Sequence, residues 1–431
     1  MPAIVEKGPF TRPVYPTAPI VDLNNLDIYL DGPPHAAFKR MRHQAPIYWQ
    51  DEHRTSWEPG YWAITRYADI VQISKNPQIF SSAKGINITL GDPEVMNPQV
   101  VNALIGGMIG TDAPQHMAYR RICVPSFTPK AIAGFEPRIR ARVNELIDRV
   151  AADGHCDFVT ALAELLPIWT LAELLGAPQR DLPRIIGWTN RLTGQGDPEF
   201  NPNAEGQQEV VKVFFDLFSY GRALLEERRR APREDLCSIV ANATIDGAEL
   251  PPGALDGFFL LLVIAGNETT RNTISGGLWE LTRNPDQYAK LRANPALLSN
   301  AVEEMLRMVS PVMHMRRTVT EDTELGGQKM RAGDKVVMWY GSANRDEDVF
   351  PDGDRFDIER KNASEHLAFG IGPHFCLGSR LGQVQIRIMF EELLRRLPDI
   401  RAIEPPQRMR SNFIAGIKHL EAAFTPVRPT A

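Results

Sequence analysis

Cysteine is scarce in this chain. The four residues, Cys123, Cys156, Cys237 and Cys376 in 431, are too scattered for a disulfide framework, which fits a reducing cytoplasm. Long hydrophobic runs are missing too: the longest, Phe258 to Gly266, is half a membrane span or less against the roughly 20 residues required. Neither sign of charge predominates. With 48 basic and 53 acidic residues interspersed and a formal net charge of −5, nothing invites nucleic acid. Met1 to Pro19 is rich in proline and lacks an apolar core, so neither a signal peptide nor a membrane anchor is expected. No Gly/Ser linker, low-complexity block or repeat interrupts the chain. The expectation is a proline-rich arm over 1–20 and one domain over 21–431, cytoplasmic and monomeric.

What the chain does have is Phe369-Gly370-Ile371-Gly372-Pro373-His374-Phe375-Cys376-Leu377-Gly378. A Gly-rich loop can aim several backbone N–H groups at one sulfur and leave room for a flat ligand. A dinucleotide fingerprint would need a third glycine at position 375, which is Phe. A zinc site would need a second ligand pair, and only His374 is near. On chemistry alone, a thiolate ligand or nucleophile and a buried inert cysteine both stay open.

Phe-Gly-x-Gly-x-His-x-Cys-x-Gly resembles the haem-binding loop of the cytochrome P450 family, whose Cys thiolate is the axial iron ligand. The resemblance implies a mainly α, triangular, helix-rich single domain with small β-sheets, carrying haem b. By it, Cys376 binds the iron, Phe369 packs near the sulfur, Gly370 and Gly378 shape the loop, and His374 approaches a haem propionate. Among bacterial soluble members the chain most resembles terpene hydroxylases of the alpha-terpineol and p-cymene type.

Upstream, residues 22–84 alternate short apolar runs with Pro and Gly, which predicts a small sheet mixed with short helices. Residues 85–111 read as a long loop with broken helix. Four-residue spacing then puts His116 and Arg120 on one helix face; a solvated basic face is the plain reading, while the resemblance implies that both hold a propionate. Helices are predicted over 138–153, 167–175, 182–192 and 209–230. The run Arg228 to Arg230 reads as a solvated helix end.

Pro251-Pro252 and Asn284-Pro285 bracket a central helix, apolar nearly all round in its first half. Ala265-Gly266-Asn267-Glu268-Thr269-Thr270 interrupts it, and a mid-helix Gly costs about 1 kcal/mol relative to Ala. Thr269 back-bonding to residue 265 is one account. The other is a groove for O2 and water in which Thr269 and Glu268 serve proton transfer, as implied by likeness to the family's Ala/Gly-Gly-x-Asp/Glu-Thr motif. On that reading Ala265 and Gly266 border the haem.

Val302, Met305, Leu306 and Val309 form a helical stripe, and at ~100° per residue Glu304 and Arg307 fall opposite it, as a solvated pair would. The family's Glu-x-x-Arg signature implies instead a covered pair locked to a second Arg, expected to be Arg360, with Arg355 as alternative. Arg317 matches a further propionate-binding Arg, with Arg316 beside it. Leu381, Val384 and Ile388 predict a helix whose positive N-terminal end favours the thiolate.

The implied reaction cleaves O2 at haem iron and inserts one oxygen atom into a C–H bond. Two electrons are expected from an iron–sulfur ferredoxin and its reductase, docking near Arg121 and Arg380. By resemblance Met108, Ile109, Leu262, Ala265, Val312, Met313, Phe413 and Ile414 flank the substrate. All are apolar. A ten-carbon hydrocarbon gains at most about 8 kcal/mol gross, at roughly 0.8 per CH2, before association costs. A monoterpene or alkyl-substituted aromatic is expected, with steroid or branched-lipid side chains as the alternative and a non-turnover haem ligand binder as the reading from another class.

Overall fold

The computed structural model describes residues 20–51, 60–88, 97–202 and 207–428. The predicted arm over 1–20 therefore lies almost wholly outside the described residues. Helices in chain order are α1 His35–Gln44, α2 Tyr67–Lys75, α3 Pro98–Gly106, α4 Gln115–Cys123, α5 Pro129–Val150, α6 Leu165–Leu175 and α7 Leu182–Thr193. They continue with α8 Gln207–Arg230, α9 Leu236–Ala241, α10 Pro252–Arg283, α11 Pro285–Ala293, α12 Leu298–Val309, α13 Tyr340–Ala343 and α14 Ser379–Arg396.

The strands are short: β1 Ile47–Asp51, β2 Gly60–Ile64, β3 Phe80–Ser81, β4 His155–Asp157, β5 Thr244–Ile245, β6 Ala248–Glu249 and β7 His314–Val319. After them come β8 Thr323–Leu325, β9 Gln328–Met330, β10 Lys335–Trp339, β11 Arg401–Ala402, β12 Gln407–Arg408, β13 Ile417–His419 and β14 Glu421–Ala423. The main sheet runs β1-β2-β10-β7-β3. Only β10 and β2 pair in parallel within it.

α10 is the axle. Pro252 starts it, where a missing N–H is harmless, and α3, α6, α7, α8, α12 and α14 pack around it. Its polar middle is tolerated because side chains return hydrogen bonds to the helix itself. Thr269 donates to Ala265 O, Asn272 to Glu268 O, Thr273 to Thr269 O and Ser275 to Arg271 O, all at 2.8–3.0 Å. The predicted loop over 85–111 contains a real helix, α3, capped by the Asn97 side chain with Pro98 at its first position; residues 89–96 lie outside the described set.

One surface expectation is corrected. Arg228 is 1% exposed, its Nε donating to Asp235 at 2.5 Å and its Nη2 to Gly176 O at 2.6 Å. The charge run marks a helix end that is locked to α9's N-terminus, not solvated throughout. No described helix is long and apolar enough to cross a membrane.

Candidate active site

The Cys loop joins β10's end of the molecule to α14. Cys376 N donates to Phe369 O at 2.9 Å and Phe375 N to Gly372 O at 3.0 Å, closing the turn. Gly370 and Gly372 hold φ of +66° and +77°, and a Cβ on Gly372 would lie 2.4 Å from Ser74 O, so the turn requires glycine. Burial pushes the Cys376 thiol up, opposed by the Gly378 N–H, the Arg120 charge and the Ser379 N–H. The other three cysteines are pushed up by burial without any backbone donor, Cys123 and Cys156 to about 12. Among the described residues no group of three or more His, Cys, Asp or Glu could hold a metal ion.

Beside the loop stands a cluster of donors. His116 is 1% exposed with Nδ1 unpartnered, and its ring lies 4.1 Å from that of His374. His374 Nε2 is 3.2 Å from Ser82 Oγ. Burial, then the charges of Arg317, His116 and Arg120, lower the His374 pKa to about 2. Burial and Arg120 likewise lower that of His116. Arg317 is buried, and its hydrogen bond is to Arg316 O at 2.7 Å; among the described residues it has no ion-pair partner. Asp112 is the nearby acid, but it already accepts from the Ser81 hydroxyl and the Ser82 N–H. Two guanidiniums, Arg120 and Arg317, beside the one nearby described carboxylate, Asp112, leave net positive charge, which fits a dianionic ligand, as haem with its two propionates is. Alternation along β7 separates Arg316 from this cluster: its N–H donates to Ile86 O at 2.7 Å.

The opposite wall is α10, which α14 reaches where Gly382 abuts Thr270 Oγ1. Ala265 is exposed although it lies midway along a central helix, and Leu261, Ile264, Gly266 and Thr269 are half-buried. Leu261, Ala265 and Thr269 follow a four-residue spacing and share a face. Leu261 and Ile264 were not singled out from the sequence, although that spacing points to Leu261.

Glu268 is placed differently from the expectation. It is fully buried and paired with Arg271 one turn on, and Arg271 Nη1 also donates to Glu164 at 2.8 Å and Asn190 at 2.7 Å. Burial pushes the Glu268 carboxyl up despite the Arg271 charge. No hydrogen bond joins it to Thr269 among the described residues, because i and i+1 on a helix diverge by ~100°. At Gly266 a Cβ would come 3.0 Å from Leu171 Cδ1, so that glycine serves close packing on α6.

The expected substrate residues divide. Ile109, Val312 and Phe413 are half-buried; Val312 bridges Ile414, and the Phe413 ring meets His314 edge-on at 5.3 Å. Met108, Met313 and Ile414 are buried at 7%, 1% and 2% exposure. Met313 belongs to the core around Tyr29, Phe38 and Trp339. Extended chain sends neighbours to opposite sides, so Val312 and Met313 cannot both face one cavity. Leu262 lines a separate small apolar cavity with Leu175, Leu225, Leu236, Cys237 and Val240.

Behind the loop, Glu304 and Arg307 are both 0% exposed. Arg307 donates to both Glu304 oxygens at 2.7 Å, and Arg360 Nε to Oε1 at 3.1 Å. Arg355 contributes its carbonyl, which accepts from Arg307 at 3.1 Å and Arg360 at 3.0 Å. The solvated pair that periodicity predicts is thus a covered cluster, because residues 351–360 lie over it.

Fold and donor set together define a haem-thiolate oxygenase. Residues 204–399 match the family described as cytochrome P450. The chain is 41% identical to linalool 8-monooxygenase of Pseudomonas putida, over 94% of this chain and 99% of that protein. It is equally 41% identical to a methyl-branched lipid omega-hydroxylase of Mycobacterium tuberculosis, over 95% and 96%. A Mycobacterium marinum cytochrome P450 in complex with pseudoionone superposes with TM-score 0.89 at 35% identity, covering 96% of this chain and 100% of that one. The chain belongs to the cytochrome P450 family: it is a monooxygenase, and its cofactor is haem b.

Proposed function

We propose that this monooxygenase hydroxylates a small apolar substrate, a monoterpene or an alkyl-substituted aromatic, with electrons from a ferredoxin and its reductase. The observation that carries it is the α10 face on which Leu261, Ile264 and Ala265 are accessible beside a single hydroxyl, that of Thr269, in a chain close to a terpene hydroxylase over almost its whole length. An apolar wall with one polar group binds hydrocarbon with little orientation by charge.

Cys376 would ligate the iron, with His116, Arg120, Arg317 and His374 around the propionates. Bound there, haem b supplies the iron at which O2 is reduced by two electrons, one oxygen atom entering a substrate C–H bond and the other leaving as water. The chain's own part is positioning and proton handling. The Gly378 and Ser379 N–H groups and the start of α14 favour the thiolate. The Thr269 hydroxyl, which donates to Ala265 O at 3.0 Å, can turn to donate into the groove. Glu268, with Oε1 unpartnered and its carboxyl pushed up by burial against the pull of Arg271, would take part in proton delivery to the groove.

Phe375 is 43% exposed on the loop, and Arg121 and Arg380 are exposed. A ferredoxin docking there should be reduced in on-rate by added salt; reduction kinetics indifferent to salt would remove these arginines from the account. For the substrate, the test is the low-to-high spin shift on titrating monoterpenes, alkylbenzenes, methyl-branched fatty acids and sterols. Saturation at micromolar monoterpene or alkylbenzene is expected. A shift confined to methyl-branched lipids would favour the second reading, which the equal identity to the lipid hydroxylase supports. Cys376→Ser should remove the thiolate-type red-shifted Soret band of the reduced carbon monoxide complex and leave the chain folded. Turnover with ferredoxin, reductase and NADH, absent in their place with peroxide or with no reductant, separates an oxygenase from a ligand binder.

A further inference from the structure

His366 lies just before the Cys loop and is buried at 7% exposure. Both ring nitrogens are used. Nδ1 accepts from Ala368 N–H at 3.1 Å, so it carries no proton, and Nε2 lies 3.1 Å from Glu303 Oε2, to which it donates. The ring is thereby fixed as the neutral Nε2–H tautomer. The other Glu303 oxygen accepts from Gln383 Nε2 at 2.6 Å. Glu303 sits on α12 and Gln383 on α14, so one carboxylate ties two helices to the loop. The His366 ring packs on Phe369 with centroids 5.5 Å apart, and Phe369 O receives the Cys376 N–H at 2.9 Å.

The relay thus runs Gln383, Glu303, His366, then Ala368 and Phe369, and ends on the backbone of the sulfur-bearing residue. Its charge is peculiar. Arg307 and Arg360 neutralise the adjacent Glu304, which also accepts the Asp357 N–H, whereas among the described residues the donors to Glu303 are neutral, an imidazole N–H and an amide. Its carboxylate therefore stands behind the loop with no guanidinium or ammonium among its described hydrogen-bond partners, with 19% of its side chain exposed. A fixed anion near an iron centre disfavours adding an electron, and donors on that anion screen it.

We propose that His366 is a positioning residue for the iron ligand, and that the Gln383–Glu303–His366 relay sets how readily the haem is reduced. This rests on Cys376 being the iron ligand. Glu303→Gln keeps the shape and removes the charge; it should shift the ferric–ferrous equilibrium toward ferrous by roughly three- to tenfold, about 30 to 59 mV for one electron. His366→Asn retains an acceptor for Ala368 N–H but loses the donor to Glu303, so the unscreened carboxylate should shift the potential the opposite way. In the double variant that second effect should vanish, since no charge is left to screen.

The holoenzyme is titrated potentiometrically, with the Soret band of its reduced carbon monoxide complex recorded in parallel. Gln383→Leu, which leaves the loop untouched, serves if His366→Asn does not fold, and should shift the potential in the same sense as it. A potential within twofold of wild type in Glu303→Gln and Gln383→Leu, with the thiolate-type band intact, would overturn the relay. So would variants that lose haem at unchanged potential, because that is what a mere brace would do. A wild-type protein without the thiolate-type band would instead overturn the ligand assignment itself.

Discussion

Glu304→Gln is the sharpest perturbation of the proximal side. Wild-type Oε2 accepts from Arg307 Nε at 2.7 Å. Oε1 accepts from Arg307 Nη2 at 2.7 Å, Arg360 Nε at 3.1 Å and Asp357 N at 2.9 Å. Glutamine keeps one oxygen and turns an amide NH2 toward a guanidinium. At least one charge-assisted hydrogen bond is lost, at about 1.5–3 kcal/mol, and two cations lose their common anion at a site with no exposure. Removing one side of a buried pair costs about 3–5 kcal/mol. Arg307 also donates to Asn344 O and Gly353 O at 2.7 Å each, which argues for the lower end, about 3 kcal/mol. Urea unfolding of the haem-loaded protein, followed by the haem band and by far-ultraviolet circular dichroism, measures it. Arg360→Met should then cost less in the Glu304→Gln background than alone, with a coupling of roughly 0.5–3 kcal/mol. A loss below about 1 kcal/mol and additive variants would refute the idea that this carboxylate holds both guanidiniums.

Gly372→Ala adds a Cβ 2.4 Å from Ser74 O at a φ of +77° and should destabilise the loop by about 1–3 kcal/mol or more, read as faster haem loss. Arg271→Leu leaves Glu268 buried without its cation; its carboxyl should rise further and the unfolding free energy fall by about 3 kcal/mol, and Arg271→Lys should recover part of it. His419 lies between Asp157 at 2.7 Å and Glu199 at 3.0 Å. Burial lowers its pKa, but those two carboxylates outweigh burial and raise it, while burial raises and His419 helps to lower theirs. Its contribution is complete below its ordinary value near ~6.5 and is lost as pH rises through the higher folded one; theirs is complete above roughly 4.5 and lost as pH falls. The thermal midpoint should therefore crest between these limits, and His419→Gln should flatten the alkaline fall.

Residue types and spacing determine the Cys loop. Two glycines, a histidine and a cysteine at fixed offsets admit one turn, because only glycine takes its positive φ and only a thiolate gains from N–H groups at a helix start. Several helices were readable, α10 above all, since prolines and periodicity act locally, although α5 starts at Pro129 and not at 138, and α3 lies in a stretch read as loop with broken helix. Which faces are covered was not readable. Periodicity made Glu304 and Arg307 a solvated pair, and the charge run made Arg228 part of a solvated helix end; all three are buried. Neither could say that residues 351–360 and Asp235 fold over those faces and bury them. The same holds in the groove: the i,i+3 spacing of Glu268 and Arg271 is local, but only packing against α6 and α7 buried that pair, gave Arg271 its further partners Glu164 and Asn190, and turned Gly266 toward Leu171. A sequence specifies the side chains along each element; which of them meet is decided by elements far away in the chain, whose approach no local pattern encodes.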